Sequence, residues 1–186
     1  MTGMRRLSSA ILFALALCGC AGAMQQAQPG RGLSQGQLAA VKLSPAAAAA
    51  ELNAYRASKG LKPVRLDPAL AAMAERQAKA MASAGQLSHD VGGGFASRLG
   101  ASGIGASEAG ENLGGGYLSL DQAMTGWRHS PEHDANLLMA NATRFGIAMA
   151  KNPDSEYGVY WAMEVAAEPL SASRGAFLPF SGYAHN

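Results

Sequence analysis

Thiols and imidazoles are scarce in this sequence: two cysteines, Cys18 and Cys20, and four histidines, His89, His129, His133 and His185. Both cysteines end an apolar N-terminal run, so everything after residue 20 lacks a thiol nucleophile, a thiolate metal ligand and a disulfide partner. His133 follows Ser130 closely, and a serine beside an imidazole has the makings of a nucleophile and its base. Ser130-Pro131 is better explained as a helix start, with a capping hydroxyl and proline at the first helical position. His133 is then the third helical residue, beside the positive helix end, where imidazolium is disfavoured and a lone pair stays free for a proton or a metal ion. The chain has no H-E-x-x-H, no G-x-S-x-G, no G-x-x-x-x-G-K-[ST], and no G-x-G-x-x-G between a strand and a helix. Any site must therefore be assembled from residues far apart in sequence.

The elements that would assemble it are partly legible. Ser44-Pro45 opens a helix in which Leu52, Tyr55 and Lys59 step at helical spacing until Gly60. Asp67-Pro68 opens a second, whose stripe Leu70, Met73, Ala74, Ala78 and Met81 predicts a core-facing helix ending near Gly85. From Asp90 to Gly116 the chain is glycine-dense and reads as loop and tight turns, with a short helix at Phe95–Leu99. Leu120, Met124 and Trp127 mark a third long helix, and Ser130-Pro131 starts a short one through Leu137, Leu138 and Met139. Arg144–Ala150 and Gly158–Ala166 read as two strands joined by an Asn152-Pro153-Asp154 turn. Helices followed by a hairpin, without β-α-β alternation, predict an α+β fold.

Residues 1–19 read as a lipoprotein signal peptide. Arg5 and Arg6 precede the apolar run Ala10–Leu17, and Leu17-Cys18-Gly19-Cys20 resembles a bacterial lipobox with Cys20 as the lipidated residue. Ala21-Gly22-Ala23 offers the rival, ordinary cleavage before Met24. Residues 20–43, rich in Gln, Gly and Ala without period, read as a membrane tether, 44–168 as one domain, and 169–186 as a C-terminal tail. Export to the cell envelope follows, and in a Gram-negative host Ala21 favours an outer-membrane anchor facing the periplasm. Loss of Arg5 and Arg6 with the leader leaves thirteen basic against thirteen acidic residues, which gives no surplus cation for nucleic acid.

Several segments in order carry a family resemblance. They are Leu52-Asn53-Ala54-Tyr55-Arg56, Gly60-Leu61-Lys62-Pro63-Val64, Asp67-Pro68-Ala69-Leu70, Ser88-His89 and Gly110-Glu111-Asn112-Leu113. Trp127 through Leu138, with its Ser130-Pro131-Glu132-His133 and Asn136-Leu137-Leu138, follows, then Phe145-Gly146-Ile147-Ala148 and Tyr160-Trp161. Across residues 47–167 the chain resembles the CAP superfamily (cysteine-rich secretory protein, antigen 5, pathogenesis-related 1; the SCP domain). The resemblance implies a three-layer α-β-α sandwich and a cleft with two histidines and two acidic groups. Three of those positions fall on His89, Glu111 and His133, a candidate ligand set for a zinc-type divalent cation that leaves a coordination position open. The second glutamate has no clean counterpart: its place falls near Ser130, with Glu132 a shifted substitute. The implied role is a cell-envelope binding module for a divalent cation, a small apolar ligand or an envelope component. A metal- or His-dependent hydrolase is the alternative, with His133 or Glu111 as general base. His129 and His185 fall outside this pattern, Asn112 and Asn136 read as backbone-satisfying amides, and Arg98 is either a partner for a cleft carboxylate or a solvated surface residue.

Overall fold

A computed structural model of the chain describes residues 33–169. The leader, Cys20, His185 and most of the C-terminal tail lie outside the described residues.

Two helix starts work as their sequences dictate. Ser44 Oγ accepts from the Ala47 N–H (3.2 Å) at the head of α2 (Pro45–Ser58). Asp67 Oδ1 accepts from the Ala69 and Leu70 N–H groups (2.9 and 3.1 Å) at the head of α3 (Pro68–Ala84). Gly85, at φ +65, ends α3 in the left-handed conformation that glycine adopts at no steric cost. Leu70, Met73, Ala74, Ala78 and Met81 form the buried stripe of α3. In α2 the third inward residue is Arg56 rather than Lys59, which is exposed beyond the helix end. Arg56 is buried because it has work for its donors: Nη1 donates to the carbonyls of Leu137 and Met139 (2.8 and 3.0 Å) and Nε to that of Lys62 (2.9 Å).

The sheet has four strands in the order β1-β3-β4-β2: β1 (Arg65–Leu66), β2 (Ala109–Gly115), β3 (Ala142–Lys151) and β4 (Val159–Ala167). β1 runs parallel to β3, and β4 is antiparallel to both β3 and β2. The β3–β4 turn is fixed by Asp154 N–H donating to Asn152 Oδ1 (3.0 Å). β4 is central and buried on both faces. Val159, Trp161, Met163 and Val165 pack with α2, α5 (Leu120–Arg128) and α6 (Pro131–Leu137), while Tyr160 and Ala162 pack with α3. Helices, sheet and helix make the expected α+β, three-layer α-β-α sandwich; α4 (Phe95–Ala101) is a short helix between α3 and β2.

Two expectations change. The stretch assigned to the tether, 20–43, contains α1 (Gln35–Ala40), with Ser34 and Gln37 in a reciprocal capping box and Leu38 and Val41 buried in the main core. The packed fold thus begins before Ser44. The glycine-dense loop from 90 to 116 contains a buried strand, β2. Its glycines answer to neighbours rather than to turns. A Cβ on Gly114 would come 2.7 Å from the Tyr117 ring, one on Gly115 2.7 Å from Tyr157, and one on Gly110 would collide with the Asn136 amide.

Candidate functional site

The residues with chemistry gather at β2, the outer strand of the sheet. Glu111 lies on its α3-facing side, directly across from Glu164 of β4. His89 arrives from the loop after α3. That loop is tied down by the fully buried Gln77 of α3, whose Nε2 donates to the Ser88 carbonyl (2.8 Å). His89 Nδ1 is 2.7 Å from Glu111 Oε1. Arg98, from α4, donates from Nη2 to both oxygens of Glu111 (2.8 Å each) and to the His89 carbonyl (3.2 Å), and from Nε to the Gly93 carbonyl (2.6 Å). One guanidinium therefore fixes the loop, the imidazole and the carboxylate together.

This arrangement favours one tautomer. Glu111, held by a guanidinium, is an acceptor only, so the proton between it and His89 sits on Nδ1. In the neutral ring the lone pair then belongs to Nε2, and the His89 side chain is 53 % exposed. His133 enters from α6 on the other side of β2. Its carbonyl accepts from Asn112 Nδ2 (3.0 Å), while Asn136 Nδ2 donates to the Glu111 carbonyl (3.2 Å) and to Asn112 Oδ1 (2.9 Å). Asn112 and Asn136 thus dock α6 onto β2. Burial first, and then the nearby charge of His89, holds the His133 imidazole below the usual histidine range, opposed by Glu132.

Residues 49–165 match the family described as CAP, the cysteine-rich secretory protein family. This chain belongs to the CAP family. The match runs from α2 into β4 and takes in His89, Glu111 and His133. Among curated proteins, the chain is 28 % identical over 103 residues to the uncharacterized protein YkwD of Bacillus subtilis (strain 168), covering 54 % of this chain and 40 % of that protein. Its fold is similar to an extracellular protein containing a SCP domain from Bacillus anthracis (TM-score 0.58, 24 % identity, 67 % of this chain and 40 % of that one). It is similar also to an outer surface protein from Borrelia burgdorferi (TM-score 0.57, 18 % identity, 64 % of this chain and 88 % of that one). The CAP chain described here spans about two-fifths of the length of the two Bacillus proteins.

Two residues beside Glu111 escaped the sequence reading in whole or in part. Arg98 is not a solvated surface residue: its side chain is 11 % exposed and bridges the loop to Glu111. The other is Glu164, an acidic side chain that pairs with Glu111 across the sheet. Glu164 is 1 % exposed, and desolvation together with the charge of Glu111 pushes its carboxyl up to about 9. Arg98 Nη1 stands 3.8 Å from Glu164 while Nη2 grips Glu111, so the single cation stabilises charge on Glu111 and Glu164 keeps a proton. A sequence signal for Glu164 did exist: it is the one acidic residue in an otherwise apolar strand, on the alternation Tyr160, Ala162, Glu164.

Other expectations fall into place or shift. Ser130 occupies the cap position of α6, but its hydroxyl makes no capping bond; its carbonyl accepts the first helical bond, from Asp134 N–H (2.8 Å). Glu132 is exposed. His129 is exposed, its Nδ1 bonded to the Thr125 carbonyl (2.8 Å). Trp127 and Trp161 are core residues whose indole N–H groups reach the carbonyls of Leu113 and Tyr117 (2.9 Å each). Among the described residues no three His, Cys, Asp or Glu side chains are grouped to hold a metal ion. Both oxygens of Glu111 are engaged by Arg98, and one of them also by His89.

Proposed function

We propose that this CAP protein is an exported, lipid-anchored envelope protein whose cleft binds a zinc-type divalent cation weakly through two imidazoles, Nε2 of His89 and one nitrogen of His133. The observation that carries the reading is the 2.7 Å bond from His89 Nδ1 to a carboxylate that Arg98 holds in place. A carboxylate behind a histidine fixes its tautomer and orientation and raises the basicity of the outer nitrogen, which is how histidine ligands are commonly prepared for metal. His133 supplies a second lone pair because burial keeps its ring neutral. Two nitrogen donors leave the remaining positions to water or to a small ligand, and a bound ion would supply Lewis acidity there.

Export rests on the Leu17–Cys20 lipobox and on the naming of relatives as an extracellular and an outer surface protein. No helix of the described residues is long and apolar enough to cross a membrane.

Calorimetric titration with zinc at pH 7.5 tests the cleft. Saturable binding is expected, weakened at least tenfold by His89→Ala and by His133→Ala, changed less than twofold by His129→Ala, and much reduced at pH 5.5, where protons compete for the nitrogens. Binding indifferent to both cleft histidines would overturn the reading.

A further inference from the structure

The opposite edge of the sheet carries a second surface. β1 ends after two residues because Asp67-Pro68 starts a helix: Asp67 N–H makes the last rung, to the Phe145 carbonyl (2.8 Å), and Pro68 has no N–H to continue. Beyond Phe145, β3 therefore runs on along the outer edge with no strand beside it. The register fixes which groups face outward. Phe145 turns its carbonyl to Asp67, so in the antiparallel ladder with β4 it is Ile147 and Met149 that turn N–H and C=O away from β4. Among the described residues nothing bonds those four groups.

Beside this edge lies an open groove of about 640 Å³. Its apolar lining includes Val41 and Leu43 on one side, Ala71 and Ala72 of α3 on another, and Ile147 and Met149 of β3 itself. Lys42 and Lys151 line the same groove. They stand close enough that the charge of Lys42 adds to burial in lowering the Lys151 ammonium. Lys151 Nζ donates to the Val41 carbonyl (2.8 Å), and among the described residues neither lysine has a carboxylate partner. The groove's one acid, Glu75, is already bonded to Lys79.

The geometry points to this edge as a docking site for an extended, acidic segment of a partner protein, added as a fifth strand beside β3. Main-chain bonds to Ile147 and Met149 would give it register, alternate apolar side chains would fill the groove, and a carboxylate would meet Lys42 and Lys151. The chain's own outlying segments do not fit: residues 1–32 and 170–186 contain no Asp or Glu, only arginines as charged groups besides His185. A second copy fits poorly, since it would add two lysines of its own to the interface, and edge lysines are a common guard against self-pairing. The site is independent of the cleft, which lies at β2 on the far side of the sheet.

The probe is a labelled peptide of alternating Val and Thr ending in two Asp, titrated by anisotropy against the full chain, with hydrogen exchange read at individual amides. Saturable binding is expected, with protection of the Ile147 and Met149 amides rising at least tenfold. N-methylation of alternate peptide amides should abolish binding without any change to the protein. Reversing both charges, Lys42→Glu with Lys151→Glu, should weaken the acidic peptide at least tenfold and favour its Lys-ended counterpart. No saturable binding, or binding indifferent to N-methylation or to charge reversal, would overturn the proposal. So would concentration-dependent self-association that protects Met149 without peptide, which would make the occupant a second copy.

Discussion

A buried carboxyl that keeps its proton near neutrality changes what pH does to this domain. Glu164 is raised from 4.5 to about 9, so between those values the folded state holds a proton that the unfolded chain has released. Stability must then fall as pH rises through that window, by up to about 1.4 kcal/mol per pH unit if the group acted alone. His133 works from the other side: held below 6.5, it costs stability as pH drops under that value, when the unfolded ring takes a proton that the buried one resists. Urea unfolding at pH 6 and pH 9 should show wild type losing stability at the higher pH and Glu164→Gln losing much less. Parallel losses in the two proteins would mean that Glu164 does not hold the proton. His89, Glu111 and His133 were each legible as residues, but only through a family pattern. What that pattern did not provide was their division of labour. Arg98 and His89 meet on the same Glu111 carboxylate, and a long-range guanidinium contact leaves no trace in sequence spacing.

At the level of elements, sequence legibility tracked apolar periodicity. α3 was legible because five buried side chains recur at helical spacing. β2 was not, because Ala-Gly-Glu-Asn-Leu-Gly-Gly has neither alternation nor β-branched residues; its identity as a strand comes from pairing with β4 and from side chains that lie over its glycines. α1 was hidden for a different reason. Its six residues bury one leucine, too short a helix for any period to show, and tertiary packing supplies what local propensity does not. A chain truncated to begin at Ser44 should therefore be less stable by about 3–6 kcal/mol, the cost of exposing or losing Leu38 and Val41 from the core. Chemical denaturation of the two lengths measures it. Equal midpoints would return residues 33–43 to the role of a tether.

Across the whole molecule, fold class was the easiest property to foresee, since two covered faces of one sheet follow from the order of helices and strands. Cys20→Ser should release the protein from the membrane fraction or leave its precursor uncut; an intact mass that begins with an unmodified Met24 in the wild type would remove the anchor. The fold also explains how a site can form from residues spaced 22 apart, His89 to Glu111 and Glu111 to His133. The loop after α3 brings His89 onto Glu111, α6 carries His133 to the same strand, and two asparagine amides and one guanidinium tie these segments to β2. The tautomer of His89 is where this reading is most exposed, and long-range imidazole ¹⁵N NMR at pH 7.5 reports it directly. The expected spectrum has His89 protonated at Nδ1 with a bare Nε2, and zinc should shift His89 Nε2 and one nitrogen of His133 while leaving His129 in place. A His89 protonated at Nε2, or zinc that moves His129 as much as the cleft pair, would contradict it.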